Sequence, residues 1–165
     1  TAGSNLIIAH IGDSRAYLFR GGELHRLTHD QTVAQTLADA GAIKPEEVAT
    51  HPRRHILTGA ITTRQVDIST ELHHLELADG DQLLLCTDGL TDMADDMAIA
   101  GALRRPGSSQ DASQALVDLA LEGGGKDNVT VVYAEGPAFS AATCTHSISA
   151  VFFASRRCAF MSPSR

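Results

Sequence analysis

Tryptophan is absent from this chain, and all aromatic residues together make up only 4% of it. The core must therefore come from Leu, Ile, Val and Ala, which the 43% hydrophobic content supplies. Positive charge is scarce: 13 Lys and Arg stand against 20 Asp and Glu, a formal net charge of −7. That balance argues against binding a nucleic-acid backbone as the main activity. No apolar run approaches the roughly 18 residues that read as a membrane span. No secretory signal is visible, since Thr1-Ala2-Gly3-Ser4 leads straight into a strand-like run. The three cysteines, Cys86, Cys144 and Cys158, have neither metal-ligand spacing nor an even count, which points to a reducing, cytoplasmic setting. His51, His55, His73 and His74 also lack ligand spacing to acids or cysteines, and read as surface or loop positions.

A chain of 165 residues is long enough for one domain with a real core. Asn5–Gly12, Ala16–Arg20 and Glu23–Leu27 read as strands, with Gly21-Gly22 as a hairpin turn between the last two. Thr32–Ala40 has helical spacing and stops at Gly41, and Pro45–Ala49 opens a short second helix. His51–Arg64 reads as a loop, and Val66–Leu77 as a partly alternating strand. After the turn Asp79-Gly80-Asp81, Gln82–Cys86 reads as a buried strand. Asp95 or Asp96 caps a helix to Arg104, and a further helix from Ser109 or Asp111 to Glu122 stops at Gly123-Gly124-Gly125. Asn128–Glu135 is the last clear strand.

Beyond Gly136-Pro137 the composition changes. All 20 acidic residues precede that point, so residues 1–137 carry 10 basic against 20 acidic residues, a charge of −10. Residues 138–165 hold four of the five Phe and two of the three Cys. This tail is expected to be disordered or non-native and to lie outside the domain.

Three aspartates sit at strand edges. Asp88 follows the buried strand and precedes Gly89, Asp127 precedes Asn128 and the last strand, and Asp13 lies in Gly12-Asp13-Ser14-Arg15. With no matching His or Cys cluster, they suggest a hard cation such as Mg²⁺ or Mn²⁺, which prefers oxygen ligands. Each has a plainer reading. Asp-Gly is a common turn pair, Asp127-Asn128 can punctuate a loop, and Asp13 can be a turn residue partnered by Arg15.

Taken together, His10–Leu18, Leu27–Thr32, Gly41-Ala42-Ile43, Leu57–Ala60, Gly80–Asp92 and Lys126–Val132 resemble, in order and spacing, the C-terminal part of a bacterial PPM (type 2C) phosphatase catalytic domain. The resemblance implies an α+β fold, an αββα sandwich of two face-to-face sheets with helices outside, here incomplete at the N-terminus. It implies a metal-dependent serine/threonine protein phosphatase with two Mn²⁺ or Mg²⁺ ions, acting on phosphorylated proteins of a cognate kinase through a metal-activated water. Asp88 and Asp127 match metal ligands of the family, and Asp13 matches an aspartate that helps hold a weaker third ion. Asn128, beside a ligand, is expected to shape the turn.

The chain departs from the family at two places. Asp30-Gln31 stands where Asp-His is usual, and Leu57-Thr58-Gly59-Ala60 where Leu-Thr-Arg-Ala is usual. The family's N-terminal motifs, Arg followed by Asn-Glu-Asp, then Asp-Gly-x-Gly-Gly, do not occur. They carry the phosphate-binding Arg, the bridging Asp and the acid His, so no such catalytic residue is assigned within this chain. A truncated phosphatase, inactive alone, is the leading expectation. A pseudophosphatase acting as a binding or regulatory module is the alternative.

Overall fold

A computed structural model describes residues 5–59, 70–135 and the backbone of 150–154. Among the described residues, seven strands form two antiparallel sheets. Strand β1 (Asn5–His10) pairs with β4 (Glu71–Glu76) in a two-stranded sheet. The second sheet has the order β3-β2-β5-β6-β7, built from β2 (Arg15–Arg20), β3 (Glu23–Arg26), β5 (Gln82–Cys86), β6 (Val129–Glu135) and β7 (Ala150–Ala154).

Helix α1 (Val33–Asp39) starts where the Thr32 side chain accepts a hydrogen bond from the Gln35 amide, 3.2 Å. A 3-10 helix, Pro45–Thr50, follows. The four residues Asp88–Thr91 form a single-turn helix, α2, and α3 is Asp96–Leu103, capped by the Asp95 side chain. Helix α4 (Ser109–Glu122) carries a reciprocal cap between Ser108 and Asp111 and ends at Gly123.

β2 is central, so four consecutive residues, Ala16 to Phe19, are buried. Tyr17 and Phe19 join Leu84, Val131 and Tyr133 against Ile99, Leu103, Leu116 and Val117 of α3 and α4. Leu18 points the other way, into a smaller cluster with Leu6 and Leu77 between the sheets. Each fully buried Leu or Val of these layers stabilises by about 1.5–3 kcal/mol. The turn before β5 is fixed by Asp81, whose buried carboxylate accepts from Arg20 Nε (2.8 Å) and the Ala78 amide (2.8 Å). Antiparallel sheets with helices packed against one of them make an α+β fold, the class expected from the sequence.

Several sequence expectations change. β5 is not buried throughout: Leu84 and Cys86 face the helices, while Leu85 is 38% exposed. Strand pleating sends alternate side chains to opposite faces, and the Leu85 side lines an open space of about 310 Å³ with Ile8, Ala16 and Val132. The outer face of the small sheet is uncovered, with Ile7 and Leu72 exposed. The strand read over Val66–Leu77 is Glu71–Glu76, and residues 66–69 lie outside the described residues. The tail read as lying apart supplies β7, whose backbone runs antiparallel to β6 from Val129↔Ala154 to Tyr133↔Ala150. Without that partner β6 would present an unpaired edge, and Val-Phe-Phe is a run of strand formers.

Candidate metal centre

The end of β5 and the start of β6 are stitched together by one residue. The Thr87 amide donates to the Thr130 carbonyl (3.1 Å), and Thr87 Oγ1 accepts from the Thr130 amide (3.1 Å). The hydroxyl is thus engaged across the sheet instead of capping α2. Gly89 makes the junction close. A Cβ there would lie 2.1 Å from the Asn128 carbonyl oxygen. This contact sets Asp88 beside the Lys126-Asp127-Asn128 turn, where Asp127 Oδ1 accepts from the Asn128 amide, 2.7 Å. The Asp-Gly pair read as a turn therefore opens a helical turn packed on β6.

Asp13 arrives from the loop joining β1 to β2. Gly12 turns that loop at φ 102°, a conformation that favours glycine. Gln31 clamps it: the Gly12 amide donates to Gln31 Oε1 (3.1 Å), and the Gln31 amide donates to the Gly12 carbonyl (2.8 Å). The Gln31 side chain fills the space that a Cβ at Gly59 would need, 1.8 Å from Oε1. The two departures from the family pattern therefore touch.

Asp13, Asp88 and Asp92 line one polar pocket of about 210 Å³ with Asp30, Arg54 and His55. Asp127 is exposed beside it and acts on the Asp88 charge. Burial, then the negative charges of Asp13, Asp92 and Asp127, hold the Asp88 carboxyl above the usual carboxylate range. Burial, and secondarily Asp30, do the same to Asp13, against its own backbone hydrogen bond and the nearby His55 and Arg15. Of the three aspartates read from the sequence, Asp13 and Asp88 share this pocket and Asp127 lies beside it, and the repulsion that they and Asp92 exert on Asp88 is what a divalent cation would relieve. Two positive groups in the pocket are already occupied. Arg15, considered as a partner for Asp13, instead binds Asp30 through Nη2 at 2.7 Å, and Arg26 pairs with the same carboxylate. Arg54 Nη1 binds Asp92 Oδ1.

Sequence reasoning missed Asp92, Asp30 and His55. The His55 ring, read as a loop residue, lies 3.9 Å from Asp88 Oδ2 and 3.7 Å from Asp92 Oδ2. His10 was also unassigned. It is buried and donates through Nδ1 to Glu71 Oε2, 2.9 Å. The Cys86 thiol beneath the site is pushed up to about 12 by burial, which leaves it protonated and inert as a nucleophile.

Residues 1–37 match the family model Protein phosphatase 2C. The serine/threonine protein phosphatase PstP of Mycobacterium tuberculosis is 47% identical over 134 residues, 81% of this chain and 26% of that protein. The protein phosphatase PhpP of Streptococcus pneumoniae is 40% identical over 76% of this chain and 50% of its own length. A crystal structure of the M. tuberculosis phosphatase superposes with a TM-score of 0.74 at 46% identity, covering 79% of this chain and 55% of that one. The PstP catalytic domain in complex with two manganese ions matches at a TM-score of 0.69 and 44% identity, over 79% and 53%. The chain spans from about a quarter to about half the length of these relatives. With matching sequence and matching fold, the chain belongs to the PP2C (PPM) family of serine/threonine phosphatases.

Proposed function

We propose that this chain supplies the C-terminal carboxylates of a two-metal protein phosphatase acting on phosphoserine and phosphothreonine. The observation that carries the reading is the placement of Asp13 and Asp88 in one pocket with Asp127 exposed beside it, where burial and then acidic neighbours raise Asp88. The manganese pair in the PstP catalytic domain supports it. When bound, such a pair activates a water and neutralises phosphoryl oxygens. Asp88 and Asp127 hold the principal ions, and Asp13 helps a more weakly bound third. Asp30 locks Arg15 and Arg26 and so fixes the loop that carries Asp13. Gln31 fixes the same loop from its other side. The substrates are phosphoproteins of a cognate serine/threonine kinase, and the setting is cytoplasmic. No helix among the described residues is long and apolar enough to cross a membrane.

Residues 1–165 contain neither Asn-Glu-Asp nor Asp-Gly-x-Gly-Gly, so on this reading they turn over little phosphopeptide by themselves. The second reading is a pseudophosphatase acting as a binding or regulatory module. Joining the corresponding N-terminal half of M. tuberculosis PstP to this chain distinguishes the two. The phosphatase reading expects Mn²⁺-dependent hydrolysis of a phosphothreonine peptide. Asp88→Ala and Asp127→Ala should each lower it by about a hundredfold or more, since cation stabilisation of the transition state is worth several kcal/mol. Asp13→Ala should cost much less at saturating Mn²⁺. A folded, inactive fusion would support the module, and equal mild losses for the three variants would contradict the ligand ranking.

A further inference from the structure

His55 sits where no cation-binding role was expected of it, and its geometry fits one. A ring nitrogen of His55 and one oxygen each of Asp88 and Asp92 lie within 4.8 Å of one another. His55 Nδ1 lies 3.9 Å from Asp88 Oδ2 and Nε2 lies 3.7 Å from Asp92 Oδ2, both too far for a hydrogen bond, so the ring stands between the two carboxylates. Ligands about 2.1 Å from a shared ion stand about 3.0–3.4 Å apart as octahedral neighbours or tetrahedral partners. The three ligand atoms lie within 4.8 Å of one another, so a contraction of at most about 1.4–1.8 Å, with one ring nitrogen turned to the ion, closes the three groups on one cation. The competing positive charge is already committed: Arg54 takes Asp92 Oδ1, leaving Oδ2 toward His55, and Arg15 is held by Asp30. The cluster lines one wall of the open pocket of about 210 Å³, so an ion and its waters have access.

We propose that His55, Asp88 and Asp92 form a mixed nitrogen–oxygen cation subsite that favours Mn²⁺ or Zn²⁺ over Mg²⁺. An imidazole nitrogen suits the first two ions, whereas Mg²⁺ prefers oxygen and gives up its waters reluctantly. The subsite shares Asp88 with the metal pair proposed above and deepens that reading by giving this chain a cation preference of its own. His55 belongs to the loop after the 3-10 helix, so an ion there also ties that loop to α2.

The test uses residues 1–165 with Mn²⁺ as the probe and electron spin echo modulation as the readout, which detects a ¹⁴N nucleus bound to the ion. Wild type should show modulation from one imidazole. His55→Asn should abolish it and weaken Zn²⁺ binding by at least about tenfold, the lower end of what changes outside the ligand shell already cost. Mg²⁺ binding should change less than twofold. His25→Asn, on the exposed hairpin, should leave the modulation intact. Wild-type Mn²⁺ binding without nitrogen modulation, modulation that survives His55→Asn, or no Mn²⁺ binding at all would overturn the subsite. An active fusion with PstP alongside absent modulation would overturn the subsite alone, and an inactive fusion with modulation present would overturn the phosphatase reading alone.

Discussion

Gly89→Ala is the substitution with the sharpest structural consequence. An added Cβ would stand 2.1 Å from the Asn128 oxygen, 2.9 Å from its carbonyl carbon and 3.4 Å from Val129 Cα. Favourable carbon contacts lie near ~3.5–4.0 Å, so the overlap exceeds about 1 Å. The atoms in the way are backbone and cannot rotate aside. Either α2 lifts from β6 or the Lys126-Asp127-Asn128 turn moves. Overpacking of this kind costs about 1–3 kcal/mol. The opposing gain, Ala over Gly in a helix, is at most about 1 kcal/mol. Repulsion should win by about 1–2 kcal/mol, a fall in Tm of about 2–8 °C for a chain of this size.

Thermal unfolding followed by circular dichroism measures this, with Gly101→Ala as the control. Gly101 is inside α3, and a Cβ there meets nothing within 4 Å. It should stabilise by about 0.5–1 kcal/mol, since only the helix effect operates. Opposite signs for the two Gly→Ala changes are the expected result. An unchanged or raised Tm for Gly89→Ala would refute the close α2–β6 junction, and with it the placement of Asp88 beside Asp127.

Two further outcomes follow from the charges of the site. Because the folded-state pKa of Asp88 is raised, its contribution to stability is full below the ordinary carboxylate range and is lost as pH rises through the raised value. Asp88→Asn should therefore raise the metal-free Tm at neutral pH, with the gain shrinking toward acid. Saturating Mn²⁺ should stabilise wild type more than the variant, and a metal-free loss at pH 7 would contradict the repulsion. Asp30→Asn should destabilise strongly, because Arg15 and Arg26 lose the carboxylate they share. Breaking a buried pair costs about 3–5 kcal/mol, and the partial exposure of both guanidiniums puts the loss near the lower end. Denaturant unfolding that shows less than about 1 kcal/mol would mean that the pair behaves like an ordinary surface bridge.

What the sequence made legible was local. The Gly21-Gly22 hairpin, the Asp95 cap of α3 and the extent and core face of α4 all follow from neighbours in the chain, whereas sequence reasoning missed the Ser108 cap of α4. Asp13, Asp88 and Asp127 could be singled out because each sits at a strand edge, where a turn residue and a ligand look alike. That Asp88 lies beside the Asp127 turn is a tertiary fact, set by the Thr87–Thr130 stitching and by the space that Gly89 leaves for the Asn128 carbonyl. His55 was illegible for the same reason. It has no local spacing to Asp88 or Asp92, and comes near them only when its loop folds over α2. β7 lay in a segment whose composition marks it as foreign to the rest, while strand pairing depends on backbone edges that composition does not describe.

The departures at Gln31 and Gly59 show how such facts change a sequence argument. Viewed along the chain they are two separate irregularities in a family pattern. In the fold they are one adjustment, since Gln31 Oε1 occupies the place of a Cβ at 59 while it accepts from the Gly12 amide. Any side chain at 59 would push the Gln31 amide off that bond. The loop held by the bond carries Asp13, so a change at Gly59 would reach the metal centre through the backbone that positions its carboxylate, without touching a carboxylate itself.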